Sequence, residues 1–274
     1  MELESVTRLT KDIRKAAETL TDAEARFLVD SYYSMQRDRI GQDSAARQIA
    51  EAGEPNQVLV WLGGQSNLLE NQIKGALEKY TTAHPVGSWM KSIKGIGPVL
   101  SAGLLAHIDI AKAPTVGHIW RFAGLDPSNV WGKGEKRPWN ATLKTVCWKI
   151  GESFVKVSTG ENPSPYGLVY RDRKAFEIAK NDAGDYADQA AKALATKKFV
   201  KGTPTKAIYE TGKLPPSHIQ ARCQRYATKL FLAHLHHVWW ETSFGEPPAK
   251  PYVITHLGHA HYIGPPNWPV KLEP

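Results

Sequence analysis

The chain has 274 residues, a formal net charge of +8 and 42% hydrophobic content, enough for one large or two smaller domains with real cores. No apolar run approaches the roughly 18 residues of a membrane span. The acidic start Met1-Glu2-Leu3-Glu4 lacks the apolar core of a secretory signal, and two cysteines are too few for a disulfide framework, so a reduced cytoplasmic setting is the expectation.

Residues 1–84 carry 10 Lys/Arg against 13 Asp/Glu, and their apolar residues fall at helical spacing. Leu3, Val6, Leu9, Ile13, Ala16 and Leu20 predict an amphipathic helix. Thr21-Asp22-Ala23-Glu24 reads as a capping box opening a second helix. That helix is expected to stop near Gly41, with a short helix over residues 43–52 after it. Pro55 opens a long helix that ends before Pro85, with Gly63-Gly64 as a candidate kink. This region predicts an antiparallel hairpin or bundle, or a coiled-coil arm through which a homo-oligomer would form.

Residues 85–159 carry 10 Lys/Arg against 4 Asp/Glu, a basic excess that suits a polyanion partner. Ser92-Ile93-Lys94-Gly95-Ile96-Gly97-Pro98-Val99-Leu100 reads as a helix-hairpin-helix. Pro98 opens the second helix, where its missing N–H costs nothing. Gly95 and Gly97 are expected to allow positive φ and close approach of another backbone. Unpaired N–H groups at the start of that helix make an anion site, with Lys91 and Lys94 beside it. The expected anion is a nucleic-acid phosphate, and the ordinary alternative is a Gly-rich helix–helix turn.

A helix through Ile119, Trp120 and Phe122 stops at Gly124, and Leu125-Asp126-Pro127-Ser128 reads as a turn. Lys133, Lys136 and Arg137 then lie between Trp131 and Trp139. Basic residues interleaved with aromatics suit a loop that tracks a backbone and stacks bases; a surface loop pinned by two tryptophans is the alternative. Asn140 is expected to cap a helix through Phe154, on which Cys147 is buried and inert. Helices follow over residues 166–180 and 183–197. Arg171 and Arg173 on the first of these are candidate phosphate contacts or members of a salt-bridged face. Residues 198–216 read as exposed, and Ser217 caps a long helix to Trp240. The tail is irregular and Pro-rich. His256, His259 and His261 within it are weak candidates for a divalent metal, since imidazole favours Zn²⁺; surface or packing histidines are the alternative. No cofactor is otherwise expected.

Three stretches carry a family resemblance: Ile93-Lys94-Gly95-Ile96-Gly97-Pro98, Ala102-Gly103-Leu104-Leu105-Ala106 and Phe122-Ala123-Gly124-Leu125-Asp126-Pro127-Ser128. Together they resemble the C-terminal half of insertion-sequence transposases with a helix-hairpin-helix. Residues 139–144, 148–154 and 221–232 look like a divergent branch of the same family. The resemblance implies a recombinase that uses a bridging RNA to pair two DNAs, so DNA and structured RNA are the implied partners. It also implies an N-terminal half with four acidic metal ligands and a nucleophilic serine just after the Asp-Pro-Ser turn. Residues 1–84 show no strand pattern to present such carboxylates, and residues 129–134 contain no serine. Ser128 is the nearest hydroxyl and the candidate catalytic residue.

The expected fold is mainly α, with a helical region over residues 1–84, a helix-hairpin-helix domain over 85–244 and an irregular tail over 245–274. The leading functional expectation is a nucleic-acid-binding, transposase-like protein with no membrane association. The alternatives are a strand-cutting enzyme using Ser128 or a histidine-held metal, and a helical assembly protein in which the hairpin only packs helices.

Overall fold

A computed structural model describes residues 8–51, 53, 56–200, 202–249 and 263–269. Among these the protein is mainly α-helical with no strand, as its sequence periodicity predicts. The chain divides into two compact units.

The first unit comprises residues 1–92, 96–114 and 238–247. It starts with helix α1 (Lys11–Ala16) and a 3₁₀ turn over Ala17–Thr19. Helix α2 (Asp22–Ala50) opens on the expected capping box, with Thr21 accepting from the Glu24 N–H and the Glu24 carboxylate accepting from the Thr21 N–H. It then runs straight through Gly41, where the sequence predicts a stop. One glycine in a helix costs only about 1 kcal/mol, and Arg39 bridges the site by pairing with Asp43 at 3.2 Å. Helix α3 (Gln57–Ala83) is capped by Asn56. Tyr80 donates to Asp22 at 3.1 Å and Arg39 pairs with Glu70 at 2.6 Å, so the two long helices run antiparallel.

Helices α4 (Gly87–Ser92) and α5 (Pro98–Leu105) stand on this pair. Trp89, Met90, Leu104 and Leu105 are buried. Arg26 of α2 donates to the Ala106 carbonyl at the end of α5, and the Thr81 hydroxyl donates to the Pro98 carbonyl at its start. Burial of about 2 kcal/mol of apolar surface per large side chain thus mounts two short helices that would not persist alone.

The second unit comprises the described residues within 93–95, 115–237, 248–249 and 263–269. Its helices are α6 (Val116–Phe122), α7 (Ala141–Lys156), α8 (Pro165–Asp182), α9 (Ala187–Thr196) and α10 (Pro204–Glu210), with α11 (Pro216–Phe244) beginning here. Asn140 caps α7 by accepting from the Leu143 N–H at 2.9 Å. Phe154, Tyr166 and Phe231 form the aromatic centre, with ring centroids 4.9–5.5 Å apart. The part of the tail over residues 263–269 is not helical, and the Ile263 carbonyl bonds to His234 of α11 at 2.8 Å. Helix α10 falls within the stretch over residues 198–216 that the sequence reads as exposed and assigns no helix. Pro204 starts it and buried Tyr209 anchors it against His218; a seven-residue helix with one buried anchor leaves no periodicity to read.

Candidate nucleic-acid interface

Most of the candidate site residues fall at two elements, the turn over residues 93–97 and the loop over residues 126–140.

The turn closes on Gly95, whose φ of +102° is a left-handed conformation that favours glycine. A Cβ at Gly95 would lie 3.0 Å from Val157 Cγ2 and 3.3 Å from Ser153 Oγ. The Ser153 hydroxyl of α7 donates to the Gly95 carbonyl at 2.6 Å. Gly97 differs from the expectation. Its φ is −91°, open to any residue, and a Cβ there meets nothing within 4 Å. Gly95 is therefore required by the turn itself, whereas Gly97 leaves clear space at the start of α5.

Gly97 is the N-cap of α5, and no side chain caps the helix. Pro98 occupies the first helical position, so the N–H groups of Val99 and Leu100 are the ones a helix start leaves for an outside acceptor. Ile96 is buried, and Lys91, Ser92, Lys94 and Gly97 are exposed around the turn. Lys91 lies 3.4 Å from Glu78, both half exposed, a pairing that solvent weakens. The Lys94 ammonium donates to the Asn162 carbonyl, which holds it in place without cancelling its charge.

The loop begins with a tight turn in which the Asp126 carboxylate accepts from the Ser128 N–H at 2.9 Å and hydroxyl at 2.8 Å. These bonds hold the Asp126 carboxyl below its usual pKa range. Ser128 is exposed and its hydroxyl is given to this turn. Beyond it, the Trp131 indole N–H donates to the Glu135 carbonyl at 2.7 Å, and the Glu135 carboxylate accepts from the Gly132 N–H at 2.8 Å. Arg137 lies over the Trp131 ring at 5.2 Å. Lys133, Lys136 and Arg137 are all exposed.

Arg171 and Arg173 fare differently from one another. Arg171 is exposed. Arg173 is committed to Glu177, donating from Nε at 2.8 Å and from a terminal nitrogen at 2.5 Å. His256, His259 and His261 lie outside the described residues. Among the described residues no group of three or more His, Cys, Asp or Glu side chains is placed to hold a metal ion. Cys147 and Cys223 are buried and unpaired, and burial pushes their thiols up to about 12 and about 11. No helix among the described residues is long and apolar enough to cross a membrane.

Sequence reasoning missed Ser153, the residue that fastens the turn. Its only signal is a polar residue one position before buried Phe154, and such residues are common on helix surfaces.

A family model, the transposase IS116/IS110/IS902 family, matches residues 88–137. That segment spans α4, the turn, α5, α6 and most of the basic loop, and it is transposase-like. No curated protein and no solved structure matches the chain.

Proposed function

We propose that this protein binds nucleic acid as part of DNA recombination, with the turn over residues 93–97 acting as a helix-hairpin-helix. The observation that carries this reading is the start of α5. It is uncapped, open at Gly97, and flanked by exposed Lys91 and Lys94. A phosphate seated there accepts from the Val99 and Leu100 N–H groups and meets the positive end of the helix. Lys133, Lys136 and Arg137 add charge on the neighbouring stretch of chain, and Arg171 is a further exposed cation on α8. The match to a transposase family over residues 88–137 supports the same reading. DNA is the first expected partner, and structured RNA shares the phosphate chemistry.

Fluorescence anisotropy with a labelled duplex over a range of salt concentrations tests it. Each phosphate neutralised should contribute about −0.9 to the slope of log affinity against log salt. An absence of salt-sensitive binding to DNA and to RNA would remove the proposal.

Self-association belongs to the same reading and has its own observation. From Gln57 to Leu69, α3 carries no charged residue, and Val58, Val60, Trp61 and Leu62 are all exposed. Ile40 and Ile49 of α2 are exposed as well. Residues 58–62 are five apolar side chains in succession, so they point to every side of the helix, and one partner helix covers only one side. An uncharged surface offers nothing to a phosphate backbone and opposes a second copy of itself with no like charge, so the partner is a second copy of this chain. Two such helical hairpins side by side make an intermolecular four-helix bundle.

A further inference from the structure

We infer that the second unit carries a site for unpaired nucleotides, a strip of alternating cations and aromatic rings that runs from the loop onto α7 and ends at Trp148. The inference rests on the nucleic-acid reading above and adds to it the form of strand that this surface takes.

The strip can be followed ring by ring. Arg137 lies 5.2 Å from the Trp131 ring. Trp131 meets Trp139 edge to face at 6.2 Å. Lys144 of α7 lies 4.3 Å over the Trp139 ring. Trp148 follows Lys144 by four residues, one helical turn further along the same face of α7. It is 60% exposed, and Trp131 is 40% exposed. A tryptophan left this open in mid-helix forgoes the largest burial gain any side chain offers.

Two of the rings are held before any ligand arrives, and the third stands on an ordered helix. The Trp131 N–H is held by the Glu135 carbonyl. Trp139 rests on Gly124, where a Cβ would lie 2.8 Å from the ring, and the Asn140 N–H donates to the Phe122 carbonyl at 2.8 Å. Trp148 sits on a sixteen-residue helix whose opposite face buries Leu143, Val146, Ile150 and Phe154. Ordered rings pay little entropy on stacking.

Cations outnumber carboxylates along the strip, with Lys133, Lys136, Arg137 and Lys144 against Asp126 and Glu135. Lys133, Lys136, Arg137 and Lys144 have no carboxylate within ion-pair range among the described residues. Three nearby carboxylates accept from neutral donors. Asp126 is held by Ser128, Glu135 accepts from the Gly132 N–H, and Glu152 accepts from Gln224. A paired duplex hides its base faces, so an array of exposed rings between cations fits bases that are unstacked and a backbone that winds past them. Every base has a π-face, so the strip would bind without strong sequence preference.

The test uses labelled single strands of deoxythymidine and of uridine, with a blunt duplex as the reference, all against the full chain. Both strands should bind and quench tryptophan fluorescence. Trp148→Ala should weaken single-strand binding roughly tenfold and change duplex binding less than twofold. Trp148→Phe should restore most of the loss. Because Trp148 is largely exposed, its thermal melt should be unchanged, which separates a lost contact from a lost fold. Whichever strand binds more tightly identifies DNA or RNA as the natural source of the unpaired bases. Equal binding of single strands by the wild type and Trp148→Ala overturns the inference. Duplex binding without single-strand binding overturns it too and leaves the nucleic-acid reading standing. Salt-sensitive binding to neither overturns both.

Discussion

The Ser153 hydroxyl donates a 2.6 Å hydrogen bond to the carbonyl of Gly95, so the turn is fastened by a helix more than fifty residues further along the chain. Gly95 adds a left-handed φ of +102° that holds its carbonyl in reach of Ser153. Removing the hydroxyl in Ser153→Ala should cost about 1 kcal/mol. Gly95→Ala should cost more, about 2 kcal/mol, because a strained φ adds to the 3.0 Å approach of Val157 Cγ2. Urea unfolding followed by circular dichroism measures both. Equal, negligible losses would mean that the turn is not held in this way.

Glu177 should be the most sensitive charged residue of the second unit. Its side chain is 1% exposed, and it accepts from Arg173, from Arg222 at 2.9 Å and from Tyr186 at 2.5 Å. Burial alone would raise its carboxyl pKa, but the hydrogen bonds from Tyr186, Arg222 and Arg173 outweigh it and hold the group below the usual range. Glu177→Ala strands two partly buried guanidinium groups and should cost about 3 kcal/mol. A thermal melt within two degrees of the wild type would contradict this account of the network.

Acid should weaken the second unit through His234. Burial pushes its imidazole down to about 4, with the His237 charge acting in the same direction and the bond to the Ile263 carbonyl opposing. The Tyr166 hydroxyl donates to Nδ1 at 2.8 Å and the Nε2–H donates to that carbonyl, so the folded ring is neutral. An unfolded histidine takes its proton near pH 6.5, so between about pH 6.5 and 4 the unfolded chain binds more protons. Stability from this group is full above pH 6.5 and falls as pH drops, by about 1.4 kcal/mol per unit and about 3 kcal/mol in all. His234→Gln should flatten that part of the stability profile. An unchanged slope would show that other groups govern it.

Self-association should depend on the uncharged part of α3. Sedimentation equilibrium at micromolar concentrations should find a dimer or larger species, and Val60→Glu with Trp61→Glu should give a monomer with its helical content preserved. A wild type that remains monomeric would remove this part of the proposal.

The helices were legible where periodicity and capping agree. The Thr21-Glu24 box, Asn140 at the start of α7 and Pro98 at the start of α5 all stand where the sequence places them. Gly41 misled because a glycine inside a helix looks like a glycine after one, and the Arg39–Asp43 pair that carries α2 past it is common on any helix. At the candidate site, sequence marked a stretch that the transposase family model also matches, but not how its two glycines differ. A φ value is a tertiary fact: Gly95 is set by Ser153 and Val157, which lie far along the chain, while Gly97 is extended and free. Arg171 and Arg173 look equivalent in sequence, and only the fold shows that one of them belongs to Glu177.

Gly97→Asn measures the central claim most directly. Asparagine is a favoured N-cap, and its side-chain carbonyl would accept from the Val99 and Leu100 N–H groups that the phosphate is proposed to use. Its Cβ meets nothing, so the thermal melt should be unchanged or slightly raised. Duplex affinity at low salt should fall about tenfold, with a shallower salt dependence. A variant that melts like the wild type and binds duplex DNA as tightly as the wild type would contradict the assignment of the α5 start as the phosphate site.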